Sequence, residues 1–493
     1  MTKEVKFNYF VELDAKALLQ QYLPLNPDGK GVLEGSLLFN TAASFTSNTN
    51  LQHYSGEVSL SYFSQLFALM WLQFISAGTG IAALAALARG LRGDTQIGNF
   101  YADFLRASFL VLLPLATVAA ALLVWLGIPM TFHGAAVAET LESATQTIAR
   151  GPVAAFLAIK QLGTNGGGWF GPNATHPFEN PNFWTNIVEC LCILLVPMGS
   201  VWMFGRITGR MKHAAVVFVV MGALLLTKMT VALGFEMEQT AAFTGQPVTD
   251  AGVNLEGKEL RFGASAGPLW AVATTCTSNG SVNCMHDSLN PPTGLMPLIG
   301  MWLNVAYGGV GVGFINIFLY IIVGVFIAGM MVGRTPEYLA HKVETKEMTL
   351  ALLALMAHPL FILGGAALFA ATPWGAGTLN NPGSHGFSEI LYEFSSSAAN
   401  NGSGFEGLGD NTVPWNIATG LVMLLARFIP IILPLAIAGS LASKKPVPEN
   451  IGTFHTDTPL FGVVLLGSVT LLGALLFLPA AVLGPIAEHL GSL

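Results

Sequence analysis

The sequence predicts an all-α, polytopic membrane protein, and three observations carry that prediction. Of its 493 residues, 53% are hydrophobic and only 10% charged, with mean hydropathy +0.60, where a soluble chain carries about 25% charged residues. Eight apolar stretches are long enough to cross a ~30 Å hydrocarbon core. A short polar motif recurs four times at nearly constant spacing. The 55 Gly and 26 Pro suit a bundle in which helices approach closely and are locally broken. A disordered or nucleic-acid-binding chain is excluded, because the net charge is -7 and the 21 Lys and Arg are scattered. Cys190, Cys192, Cys276 and Cys284 make no disulfide framework and read as free thiols.

The apolar stretches are Leu60–Ala88, Phe104–Ile128, Trp184–Phe204, Ala214–Phe235, Gly294–Gly333, Thr349–Thr372, Trp415–Ala442 and Pro459–Leu483. The fifth is twice the length that a membrane needs, and Gly308-Gly309-Val310-Gly311-Val312-Gly313 interrupts it, so it reads as a broken helix. Short connections rich in Lys and Arg stay on the cytoplasmic side. Arg89, Arg92 and Arg106, then Arg206, Arg210 and Lys212, then Arg334, Lys342 and Lys346, then Lys444 and Lys445 mark four such connections. The long polar connections 129–183, 236–293 and 373–414 therefore face outward, and so does everything before Leu60. Residues 1–59 hold no span or signal segment that would export them. The expectation is that two hydrophobic spans are encoded upstream of this reading frame.

The repeated motif reads Ser44–Asn50, Gly163–Gly168, Thr277–Ser281 and Ala398–Ser403, and anchoring on Asn48, Asn165, Asn279 and Asn401 gives separations of 117, 114 and 122 residues. The last three copies follow short semi-apolar runs, Val153–Leu162, Pro268–Thr275 and Phe387–Ser397. The implied unit is span, re-entrant helix, polar loop, span. It divides the chain into an incomplete first repeat at 1–92, repeats at 93–213, 214–346 and 347–445, and a C-terminal span and tail at 446–493. Irregular backbone at membrane depth is tolerated only where protein buries it or where it lines a water-filled cavity, so four such loops imply a shared axis. Gly and Asn accept unusual dihedrals that let successive carbonyls point along it. A ring of carbonyls replaces the hydration shell of a monovalent cation such as potassium, and the loops carry no Lys or Arg to attract an anion.

At these residues the chain resembles the KdpA family, the potassium-binding subunits of bacterial Kdp potassium-transporting ATPases within the potassium-transporter superfamily. The resemblance runs from about Tyr22 to the C-terminus. It is most specific at Asn48-Thr49-Asn50 with Gln52 and Tyr54–Glu57, at Gly163–Phe170 with His176–Pro181, at Met285–Ser288, at Gly333–Leu339 and at Ser396–Gly402. It implies filter carbonyls from Asn48 and Thr49, Thr164 and Asn165 before Gly166, Ser278 and Asn279 before Gly280, and Asn400 and Asn401 before Gly402, with Gln52 at a position tied to selectivity. It also implies that Gly308, Gly309, Gly311 and Gly313 belong to an intramembrane loop that blocks the inward pore and diverts potassium sideways, and that Arg427 is a buried charge near that route. The implied partners are a P-type ATPase subunit and two small membrane subunits, in the bacterial inner membrane. Potassium is substrate, and no covalently bound cofactor is expected. Family members begin with two further spans, which this chain lacks before Asn48.

Energy must come from elsewhere, since neither a Gly-x-x-x-x-Gly-Lys-Ser/Thr phosphate loop nor an Asp-Lys-Thr-Gly motif is present. A non-catalytic subunit is the leading reading. The alternatives are a stand-alone transporter or channel of the same superfamily and, far behind, a membrane enzyme using His286 and Asp287. Those two residues read more simply as a brace behind the third loop. Arg427, mid-span, reads as functional, and Lys228, nearer a span end, as a snorkelling residue.

Overall fold

The computed structural model describes residues 19–491 apart from 95, 239–251, 332 and 449–453. The acidic and basic opening with Glu12, Asp14 and Lys16 lies outside the described residues. Among the described residues, eight helices are long and apolar enough to cross a membrane: Tyr62–Arg92, Phe100–Trp125, Phe183–Thr208, Met211–Glu236, Val312–Met331, Thr345–Ala370, Val413–Ala442 and Pro459–Gly491. All eight apolar stretches of the sequence thus have a helical counterpart. Their burial separates centre from rim. The first and fifth spans are 72% buried over their most apolar window and the outer spans are mostly at 33%, so the outer helices present apolar faces to lipid. The largest core cluster gathers Phe314, Ile317, Phe318, Ile321 and Ile322 of the fifth span against Leu84 and Leu87 of the first, Val217 and Met221 of the fourth, and Leu465 and Val469 of the eighth.

Four shorter helices, Gly35–Ser47, Val153–Leu162, Gly263–Cys276 and Gly383–Ala399, each run into one copy of the polar motif. Three match the expected re-entrant runs. The first has no counterpart in the sequence reading, although Leu37, Leu38, Ala42, Ala43 and Phe45 are buried in it. Its start is fixed by Glu34, whose carboxylate accepts from the backbone N–H of Ser36 at 2.8 Å and of Leu37 at 3.0 Å, satisfying two of the orphan donors of the first turn.

The fifth apolar stretch is broken as expected, but the break lies earlier than the glycine run suggested. A half-helix, Pro291–Leu303, ends at Asn304 in the left-handed region, and the chain turns back before the span restarts at Val312. Gly313 therefore belongs to the first turn of that span, not to the loop. A two-stranded hairpin, Ala136–Glu139 with Thr145–Ile148, decorates the connection 129–183.

Candidate ion filter

The backbone gives the four loops one register. Each short helix ends in the same hydrogen bond, five residues long: Thr49 N–H to Ser44 O at 2.9 Å, Asn165 to Lys160 at 2.9 Å, Asn279 to Thr274 at 2.8 Å, and Asn401 to Ser396 at 2.9 Å. Positive φ follows the same pattern. Asn48, Thr164, Ser278 and Asn400 lie at 69°, 47°, 49° and 53°, and two residues later Asn50, Gly166, Gly280 and Gly402 lie at 57°, 79°, 94° and 105°. The structural partner of Asn165, Asn279 and Asn401 is thus Thr49, so the anchor on Asn48 is one residue out of register, while the residue pairs assigned to the filter are in register.

The loops close into a ring. The Asn48 side chain donates to the Thr164 carbonyl at 2.8 Å, Asn279 to the Lys160 carbonyl at 3.3 Å, Asn401 to the Thr274 carbonyl at 3.0 Å, and Asn400 to Thr49 Oγ1 at 2.9 Å. These contacts join loops one and two, two and three, three and four, and four and one. A Cβ on Gly166 would stand 1.9 Å from Asn279 O, on Gly280 2.1 Å from Asn401 O, and on Gly402 2.2 Å from Thr49 O. Glycine is required there both by close approach and by positive φ. The first loop carries Asn50 instead, a residue type that tolerates the left-handed region.

Polar residues outside the ring hold it. Gln52 donates to Gly168 O at 3.1 Å and accepts from Gly168 N–H at 2.7 Å, a two-way clamp between the first and second loops. Behind the second loop, the buried Lys160 ammonium lies 2.5 Å from Glu179 and 2.5 Å from Asn173 Oδ1, and Asn173 Nδ2 donates to Gly166 O at 2.7 Å. His286 Nδ1 meets Tyr392 Oη at 2.8 Å, and Tyr392 Oη meets Ser403 Oγ at 2.8 Å. Asp287 meets His385 Nε2 at 2.9 Å. His286 and Asp287 therefore brace the third loop against the fourth, as a structural reading expects.

Between the first and fourth loops, buried His53 has Nδ1 2.7 Å from Asn416 Oδ1 and Nε2 3.1 Å from Glu393 Oε1, with Asp410 3.9 Å away. Burial opposes its charge, but Asp410 and Glu393 outweigh that and push the imidazole pKa up to about 9. A raised histidine pKa contributes stability that is fully present below the unfolded value, about 6.5, and is lost as pH rises through about 9. The expected result is a thermal midpoint gap between wild type and His53→Gln that is wide at about pH 6 and narrows by about pH 10. Differential scanning fluorimetry across that range measures it, and a gap independent of pH would contradict the charged clamp.

The glycine loop lies directly against the ring. Val310 N–H donates to Thr164 Oγ1 at 3.1 Å, Ser278 Oγ to Asn304 Oδ1 at 2.6 Å, Gly308 N–H to Cys276 O at 2.8 Å, and Asn304 Nδ2 to Ala399 O at 3.1 Å. These contacts reach the innermost residues of loops two, three and four, on the side away from the long connections. They also hold Thr164, a β-branched residue at positive φ, in a conformation it would otherwise leave. Beside the loop is a cavity of about 40 Å³ lined by Asn304, Asn316, His358, Asn400, Arg427 and Phe477, larger than one water requires. Arg427 is only 8% exposed, and among the described residues no carboxylate pairs with it.

With the ring and the loop beneath it in view, the comparisons with known proteins are decisive. Residues 5–490 match the family described as KdpA, potassium-transporting ATPase A subunit. The chain belongs to the KdpA family. Its fold is similar to that of the potassium transporter TrkH from Vibrio parahaemolyticus, at TM-score 0.57 and 14% identity over 88% of this chain and 83% of that one. KdpA membership, eight apolar spans and a transporter fold make this a multi-pass membrane protein of potassium transport. The sequence reading singled out the ring residues, and its stretches include Ser44, Lys160, Thr274 and Ser396, but it gave no role to these four, whose carbonyls fix every loop. The only sequence signal for them is their constant offset from the motif.

Proposed function

We propose that this chain is the potassium-selecting and translocating subunit of an ATP-driven uptake complex in the bacterial inner membrane. In this reading it is non-catalytic and works with a P-type ATPase subunit and two small membrane subunits. Carbonyls of Asn48, Thr49, Thr164, Asn165, Ser278, Asn279, Asn400 and Asn401 replace the hydration shell of the ion, the task for which carbonyl dipoles suit a monovalent cation. Gln52 fixes the spacing of the first two loops. Gly308, Gly309 and Gly311, with Gly313 packed behind them, close the straight path inward, and the ion leaves through the cavity beside Asn304 and Asn400, past Arg427. A buried cation beside that path limits occupancy to one ion at a time by repulsion.

The observation that carries the reading is that Asn304 and the glycine loop after it are together hydrogen-bonded to three filter loops at once, which suits a block better than a hinge. Deleting residues 308–311 is expected to open a passive pathway, with potassium flux into vesicles that needs no ATP. Rubidium-86 uptake by reconstituted complexes without nucleotide measures it, and a correctly assembled deletion variant that stays tight would sink the block. The rival stand-alone transporter is distinguished by the same assay on the intact chain without partners, since only the rival expects flux there.

A further inference from the structure

A groove of about 480 Å³, apart from the filter and sharing only Trp302, Leu303 and Phe477 with the lining of the cavity beside Arg427, runs between the span Met211–Glu236, the half-helix Pro291–Leu303 and the span Pro459–Ala481. Its lining is almost wholly apolar: Leu224, Leu295, Ile299, Trp302, Leu466 and Phe477 are representative. Exposed Leu466 and Leu478 form its lip, so it opens on the face that other apolar residues present to lipid. One charge stands in it. Lys228 is 5% exposed, and among the described residues its ammonium has no hydrogen-bond partner. Its carboxylate neighbour one helix end away is already taken, because Glu236 is paired with Lys258 at 2.6 Å. The side chain therefore does not snorkel beyond its helix end but stays inside the groove.

An unpaired buried ammonium is costly in a low-dielectric wall and attracts an anion with an apolar body. We infer that this groove binds an anionic phospholipid of the leaflet on the filter side, with the phosphate at Lys228 and an acyl chain along the eighth span. Dimensions agree with that occupant. Lys228 lies eight residues from Glu236, about 12 Å along the helix, and the helix outruns a ~30 Å core, so Lys228 stands in the outer part of that leaflet, a few ångströms short of the headgroup level, where a phosphate drawn into the groove meets it. From Leu466 to Ala481 the groove follows the eighth span for about 22 Å, more than the ~15 Å depth of one leaflet. At Gly473 the eighth span approaches the half-helix closely, since a Cβ there would stand 2.3 Å from Leu303 Cδ2, so a larger side chain would have to push into the groove.

The full-length chain in mild detergent, exchanged with palmitoyl-oleoyl phosphatidylglycerol or with phosphatidylcholine of the same chains, provides the test by native mass spectrometry. One phosphatidylglycerol is expected to stay bound, with phosphatidylcholine retained about tenfold less. Lys228→Met is expected to abolish that preference and Lys228→Arg to keep it, while Gly473→Leu lowers retention of both lipids. Equal retention of the two lipids by wild type, or an undiminished preference in Lys228→Met, would overturn the proposal. So would displacement of the lipid by inorganic phosphate alone, or cross-linking of Thr470→Cys to a membrane-spanning polypeptide in place of lipid.

Discussion

Replacing Gly280 or Gly166 by alanine is expected to abolish high-affinity potassium uptake and to weaken discrimination against sodium. The added methyl at Gly166 would lie 1.9 Å from Asn279 O and 2.6 Å from Ser281 N, and the one at Gly280 would lie 2.1 Å from Asn401 O and 2.9 Å from Gly402 Cα. Every close atom is backbone, so no side chain can swing away. Relief requires the next loop to move, and in the proposed filter that loop supplies the carbonyls. Positive φ at both positions adds a strain of about 1–3 kcal/mol per residue, and displacement of the neighbouring loop adds to it. A total of about 3 kcal/mol on the binding state corresponds to roughly a hundredfold weaker apparent affinity. The larger loss falls on selectivity, because the number and placement of carbonyl dipoles set the preference. Asn50→Gly is the matched comparison, since the same register position in the first loop already carries a side chain; it is expected to change affinity by less than about tenfold. Gly31→Ala, in open space, should change nothing. Concentration dependence of rubidium and potassium uptake at low external potassium measures all four, and wild-type affinity and ion preference in both Gly166→Ala and Gly280→Ala would remove these loops from the ion's path.

How much of this was legible in the sequence depends on what each element is solvated by. Spans such as Phe100–Trp125 face lipid over much of their surface, so length and apolarity alone reveal them. The short helix Gly35–Ser47 is solvated by protein. It buries Asn40, Thr41, Ser44 and Ser47, and Asn40 donates to Asn416 O at 3.0 Å and Thr419 Oγ1 at 2.7 Å on the seventh span. Asn40 is paired across 376 positions of chain, while Thr41 and Ser44 bond to carbonyls close in sequence, so a scan for apolar runs cannot recognise the helix. The loops themselves were readable because Gly and Asn are the residues that positive φ selects. Their register was not, because the first copy places Thr49 and Asn50 where the others place asparagine and glycine. Ion pairs such as His53 with Glu393 are invisible for the same reason as the Asn40 contacts: nothing local marks a partner 340 residues away. The outward face of the loops and the partners of the complex rest on the positive-residue pattern and on family membership, which constrain topology and assembly but no distances.

The Lys160–Glu179 pair is expected to be the most sensitive side-chain contact behind the ring of loops. Both groups are fully buried, with Lys160 Nζ 2.5 Å from Glu179 Oε2, and Glu179 Oε1 also accepts the Phe170 N–H at 2.8 Å. Removing one member of such a pair leaves a desolvated charge without compensation, at about 3–5 kcal/mol, whereas replacing both costs far less. Lys160→Met should therefore destabilise the folded chain severely, and Lys160→Met with Glu179→Gln should recover most of that loss, because glutamine still accepts from Phe170 through its carbonyl oxygen. Recovery of transport is expected to lag behind recovery of stability. Lys160 also holds Asn173 Oδ1 at 2.5 Å, and Asn173 Nδ2 holds the Gly166 carbonyl at 2.7 Å, so the methionine variant loses the anchor of the second loop even when the charge imbalance is gone. The double variant is thus expected to unfold within a few degrees of wild type yet to show an apparent potassium affinity at least about tenfold weaker. Thermal unfolding in detergent and uptake at graded potassium separate the two effects. Full recovery of both would reduce Lys160 to a packing residue, and recovery of neither would mean that the pair's energy lies in contacts other than its own charge balance.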